Sequence, residues 1–68
     1  MLASEVIMEY TIEKLQLFST AYSPLDGCYV EIMRVYPDKN GRPLLRCRLQ
    51  DSDKEYIFRQ EELTGFVL

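Results

Sequence analysis

Five cationic side chains crowd one short stretch of the chain: Arg34, Lys39, Arg42, Arg46 and Arg48. Asp38 alone opposes them, so residues 34–48 carry a local charge of +4 in a 68-residue chain of formal net charge −3. Guanidinium groups at such density fork onto the carboxylates of an acidic protein surface or bind phosphates. Tyr29, Tyr36, Tyr56 and Phe58 lie nearby, and cations interleaved with aromatic rings are what single-stranded nucleic-acid binders use. The balance of the whole chain decides between the two. Glu31, Asp51, Asp53, Glu55, Glu61 and Glu62 flank the basic run, and nucleic-acid modules are seldom acidic overall. The expected partner is therefore another protein with an acidic surface. The alternative is a single-stranded nucleic-acid-binding module that uses the basic hairpin 34–48.

Other chemistries lack their residues. Without a histidine the chain has neither the commonest general base nor the usual zinc ligands. Cys28 and Cys47 stand 19 residues apart, outside any CxxC pair, and read as free thiols used as small apolar side chains. Asp51, Asp53 and Glu55 alternate like cation ligands, yet the segment has neither the glycine nor the terminal glutamate of a twelve-residue calcium loop. Gly27, Gly41 and Gly65 stand alone, so no phosphate loop forms. No catalytic, cofactor-binding or metal site is predicted, and the expected protein is not an enzyme. The start, MLASEVIMEYTIEKL, has no basic n-region and no unbroken apolar run, so neither a secretion signal nor a membrane span is expected. With two lone cysteines this points to the cytoplasm.

The elements that must position the arginines are read from periodicity. The length fits a single domain, 1–68, and 47% apolar with 28% charged residues is the composition of a folded one. Residues 4–20 are predicted as a helix. Ser4 caps it, Glu5 suits the first turn, and Met8, Ile12, Leu15, Phe18 and Tyr22 share one stripe. The competing strand, with Val6, Met8, Tyr10 and Ile12 on one side, loses its alternation at Glu13-Lys14 and is long for a strand. Ser23–Gly27 is a turn, and residues 28–68 read as a β-meander. Its strands are 28–36, 44–50 and 55–60, then one helical turn at 61–63 and a short strand at 66–68.

Register comes from the turns. Asn40-Gly41 as a two-residue type I′ loop sets Tyr36 opposite Leu45, Arg34 opposite Cys47 and Ile32 opposite Leu49. A Ser52-Asp53 loop sets Leu49 opposite Tyr56, Cys47 opposite Phe58 and Leu45 opposite Gln60. One face then holds Val30, Ile32, Tyr36, Leu45, Cys47, Leu49, Tyr56 and Phe58, with Arg34 as a single charged intruder. The other face holds Met33, Val35 and Ile57 beside Arg46, Arg48 and Arg59, and Arg46 faces Arg59. Like charges set opposite each other are unfavourable unless an acidic partner or an anion lies between them. Met33, Val35, Arg46, Arg48, Ile57 and Arg59 are therefore the predicted partner-binding residues. In the alternative, the N-terminal helix covers this face and Glu5, Glu9 and Glu13 neutralise it.

Leu25-Asp26-Gly27 precedes a strand, Val30-Glu31-Ile32 and an Asn-Gly hairpin come next, and Glu55-Tyr56-Ile57-Phe58-Arg59 runs into Glu61-Glu62-Leu63. In these features residues 24–68 resemble a small SH3-like barrel protein of bacterial or phage type. The resemblance implies a bent antiparallel barrel of four to five strands and a protein-binding module, an adaptor or inhibitor that serves as an accessory protein. Together with the helix 4–20, the expected fold is α+β, mostly β. An uncovered sheet edge and the apolar end Gly65–Leu68 lead us to expect a homodimer.

Overall fold

The stretch after residue 20 is dense in β-branched and aromatic side chains, which favour a pleated, half-buried surface. In the computed structural model, which describes residues 9–68, it forms one antiparallel sheet. The strands are β1 (Thr20–Ser23), β2 (Cys28–Pro37), β3 (Pro43–Leu49), β4 (Glu55–Phe58) and β5 (Thr64–Val67). Their order across the sheet is β4-β3-β2-β1-β5, and a 3-10 turn, Gln60–Glu62, joins the two outermost strands. The fold is thus mostly β. The sheet is not closed, so the expected barrel is corrected: β4 and β5 are its two edges and do not pair with each other.

The predicted helix 4–20 is corrected as well. Its residues 4–8 lie outside the described ones, and between Glu9 and Thr20 the chain forms only one helical turn, α1 (Ile12–Leu15). Thr11 caps this turn by accepting a hydrogen bond from the Lys14 N–H at 3.2 Å. Leu15 is fully buried and Phe18 nearly so, as the helical stripe required. By Ser19 the chain has left the helical path. Its N–H donates to the Val67 carbonyl (2.8 Å) and its own carbonyl accepts from Ile32 (2.9 Å). β1 then lies between β2 and β5, with Ala21 opposite Val30 and Tyr22 opposite Tyr29. A helix continued to residue 20 would strip the Val67 carbonyl and the Ile32 N–H of their Ser19 partners, a cost that outweighs a weak helical propensity.

Both hairpins are longer than predicted. Between β2 and β3 the loop is Asp38–Arg42, closed by Asp38 N–H on the Arg42 carbonyl at 2.7 Å. The Asp38 carboxylate organises it by accepting from the N–H groups of Asn40 (2.7 Å) and Arg42 (2.9 Å), while Gly41 takes a positive φ of 82°. Between β3 and β4, Leu49 N–H donates to Lys54 O at 3.0 Å. Leu45 therefore faces Phe58 and Cys47 faces Tyr56, two residues from the predicted pairing. A shift of two preserves the faces, so Leu45, Cys47 and Phe58 are buried as expected.

β2 departs from the prediction at a bulge. Ile32 pairs with Cys47 and Arg34 pairs with Arg46, which leaves Met33 as an extra residue. Before it, Val30 faces the core; after it, Val35 does, opposite Leu45. The bulge removes the conflict that an unbroken strand would carry: Arg34 leaves the apolar face and Val35 replaces it.

Candidate functional site

The bulge assembles the outer face of β2, β3 and β4. Arg34 and Arg46 lie directly across from each other, and Arg46 has Ile57 on its other side. Arg34, Tyr36 and Arg46 line an open depression of about 300 Å³. Arg46 Nε donates to Glu55 Oε1 at 2.9 Å. Arg34 has no carboxylate within ion-pair distance among the described residues. Two guanidinium groups on neighbouring strands repel in high dielectric, and one carboxylate shared between them relieves this.

The six predicted residues separate. Arg46, Arg48 and Ile57 are on the outer face, with Ile57 55% exposed, and Met33 at the bulge is 40% exposed. Arg48 donates to Glu31 at 2.8 Å, and that bond raises its already high pKa, so this cation has its partner. Val35 is turned by the bulge to the core side, where it is half-buried. Arg59 does not face Arg46. Its guanidinium donates to Asp38 Oδ2 at 2.7 Å and to the Pro43 carbonyl at 3.4 Å, and its N–H donates to Glu62 at 2.6 Å. Arg59 therefore fastens the start of the 3-10 turn to the β2–β3 loop. The covering helix of the alternative reading is absent from residues 9–68; Glu9 lies 4.0 Å from Arg42 instead.

Arg34 and Tyr36 lie outside the predicted set. The usable signal is the isolated charge on an otherwise apolar face: a strand that places one arginine in the core asks for a bulge beside it. The flank of the bulge is itself hollowed, by about 270 Å³ between Phe18, Ile32, Met33 and Arg34.

The remaining reactive groups are quiet. Cys28 and Cys47 are free thiols. Burial pushes Cys47 up to about 12, and Cys28 is raised by burial and then by its hydrogen bond with Asp51. Neither is a thiolate near neutrality. Among the described residues no group of three His, Cys, Asp or Glu side chains is placed to hold a metal ion, and no helix is long and apolar enough to cross a membrane. No protein-family model, no curated protein and no solved structure matches this chain.

Proposed function

We propose that the protein is a small non-enzymatic binding module, an adaptor or inhibitor that takes an acidic segment of another protein on the outer face of β2, β3 and β4. The carrying observation is the Arg34–Arg46 pair: two cations held side by side, one of them without a carboxylate. Tyr36 and Ile57 flank them and supply the apolar contact that a charged anchor needs around it. The binding residues are thus Arg34, Tyr36, Arg46 and Ile57, with Met33 at the margin. The ending β4, 3-10 turn, β5 supports the likeness to small SH3-like proteins in local order, and the free cysteines suit a cytoplasmic setting.

Nucleic acid is the second reading. Of the five cations in 34–48, Arg42 and Arg48 are spent on Glu61 and Glu31, and Arg46 is shared with Glu55 through Nε. That leaves Arg34, Lys39 and the outer edge of Arg46, too few for a phosphate track. A fluorescence titration separates the two. A glutamate-rich extended peptide binds the wild type, and both Arg34→Ala and Arg46→Ala lose that binding while their melting curves hold. A polythymidine strand that binds instead, with log-linear weakening in salt, overturns the protein reading.

A further inference from the structure

We propose that two copies of this chain join edge to edge through β4, with Ile57 on the two-fold axis, to make one continuous ten-stranded sheet. β4 is an outermost strand, and nothing among the described residues pairs along its free side. It is also lightly guarded. Residues 55–58 contain neither Lys nor Pro, the usual guards of an edge, and Tyr56 and Ile57 are 45% and 55% exposed.

The hydrogen-bond parity of β4 defines what can be added. Leu49 N–H donates to Lys54 O, so Lys54 turns its main chain toward β3. Tyr56 and Phe58, opposite Cys47 and Leu45, turn theirs the same way. Glu55 and Ile57 therefore direct their main-chain groups to the free edge. Arg59 still has extended φ and ψ (−87°, 153°), but Glu62 engages its main chain on both sides: the Arg59 N–H donates to the Glu62 carboxylate and the Arg59 carbonyl accepts from the Glu62 N–H at 3.0 Å.

A second copy running antiparallel can pair with this edge in two registers, and the side chains choose between them. With Tyr56 on the axis, Glu55 meets Ile57 of the second copy and Lys54 meets its Phe58, and neither pair is complementary. With Ile57 on the axis, Glu55 meets Arg59 of the second copy, twice by symmetry, and Tyr56 meets its Phe58. Opposite charges are the favourable cross-strand combination, and they select this register. Arg46 occupies Glu55 Oε1 and Asp38 occupies one amino group of Arg59, so each keeps free hydrogen-bonding capacity for the other copy. In this register Ile57 exchanges main-chain hydrogen bonds with its own symmetry mate and the flanking charges are self-complementary, as a two-fold interface requires.

Sedimentation equilibrium of the full chain from micromolar to millimolar concentration tests this. The expected mass rises from 8.0 kDa to twice that value. Ile57→Lys places two like charges on the axis and remains monomeric. Glu55→Arg alone sets Arg against Arg, Arg59→Glu alone sets Glu against Glu, and each weakens self-association about tenfold. Mixing these two variants restores dimers of mixed composition, because each charge now meets its opposite. A folding defect cannot produce that rescue. A wild type that stays at 8.0 kDa throughout, an Ile57→Lys variant that dimerises like wild type, or mixed variants that ignore each other would each overturn the proposal.

Discussion

The side-chain amide of Gln60 exchanges two hydrogen bonds with the main chain of Tyr10: Oε1 accepts from the Tyr10 N–H at 2.9 Å, and Nε2 donates to the Tyr10 carbonyl at 3.0 Å. One side chain thus substitutes for a neighbouring strand, fifty residues away in sequence. It brings the Tyr10 ring against Phe18 and Phe66, with ring centroids 5.1 and 5.6 Å away.

Gln60→Ala strands both main-chain groups of Tyr10 and costs about 1–3 kcal/mol in urea unfolding. Gln60→Glu is more telling. At neutral pH it sets a carboxylate oxygen against the Tyr10 carbonyl, which raises the pKa of that carboxyl in the folded state. The variant therefore gains stability relative to wild type as the pH falls and the carboxyl protonates. An unfolding midpoint difference that does not change between pH 7 and pH 4 would show that the two bonds are dispensable.

Asp38 makes the opposite pH prediction. The Arg42 N–H first, and the Arg59 guanidinium next, hold its carboxyl below the ordinary 3.8. Its contribution is complete above that value and is lost as the pH falls through the depressed range. Asp38→Asn keeps an acceptor oxygen but no charge. The melting temperature of wild type should fall more steeply than that of the variant between about pH 4 and pH 2. Parallel curves would remove Asp38 from the acid response.

Cys47 governs the alkaline side. Its folded pKa of about 12 lies above its ordinary 9.0, so the unfolded chain releases the thiol proton first. Stability contributed by the buried thiol is present below pH 9 and declines by at most about 1.4 kcal/mol per pH unit above it. Cys47→Ala lowers stability at pH 7 but flattens that alkaline slope. Equal slopes in the two proteins would mean that other groups carry the alkaline response.

Neighbouring residues of β2 are predicted to answer oppositely to substitution. Val35→Lys sets a charge on the half-buried core side beside Leu45 and lowers the melting temperature, whereas Arg34→Thr is tolerated because Arg34 faces outward. Thermal melts of the two variants decide it. The reverse outcome would restore the unbulged register.

The β-rich half is legible in the sequence because its alternation carries over most of β3 and β4. Leu45, Cys47 and Phe58 face the core on parity alone, even though a Ser52-Asp53 loop is two residues too short. The β2–β3 loop misleads for a local reason. Asn40-Gly41 is a strong two-residue signal, but Asp38 captures the N–H groups of Asn40 and Arg42 and widens the loop around itself. β1 is hidden because Leu15, Phe18 and Tyr22 hold helical spacing whether or not the chain is helical. What holds Tyr22 in a strand is its place between Tyr29 and Thr64, and the β5 partner is a long-range contact that no local pattern carries. Arg34 and Tyr36 escape the sequence pattern for the reason that wrongly admits Val35: one unpaired residue, Met33, exchanges inside and outside for everything after it.

That exchange makes Met33 a spare rung. It sits between two residues whose partners, Cys47 and Arg46, are consecutive on β3, so the ladder closes without it. Deleting Met33 would bring Ile32 and Arg34 into regular alternation and leave every other side chain of β2 on its present side. Deleting Ile32 instead would let Met33 step inward into the vacated place, with the arginine pair undisturbed. The strand thus carries its own reserve against the loss of a residue at this point, a slip that would turn an unbulged strand inside out.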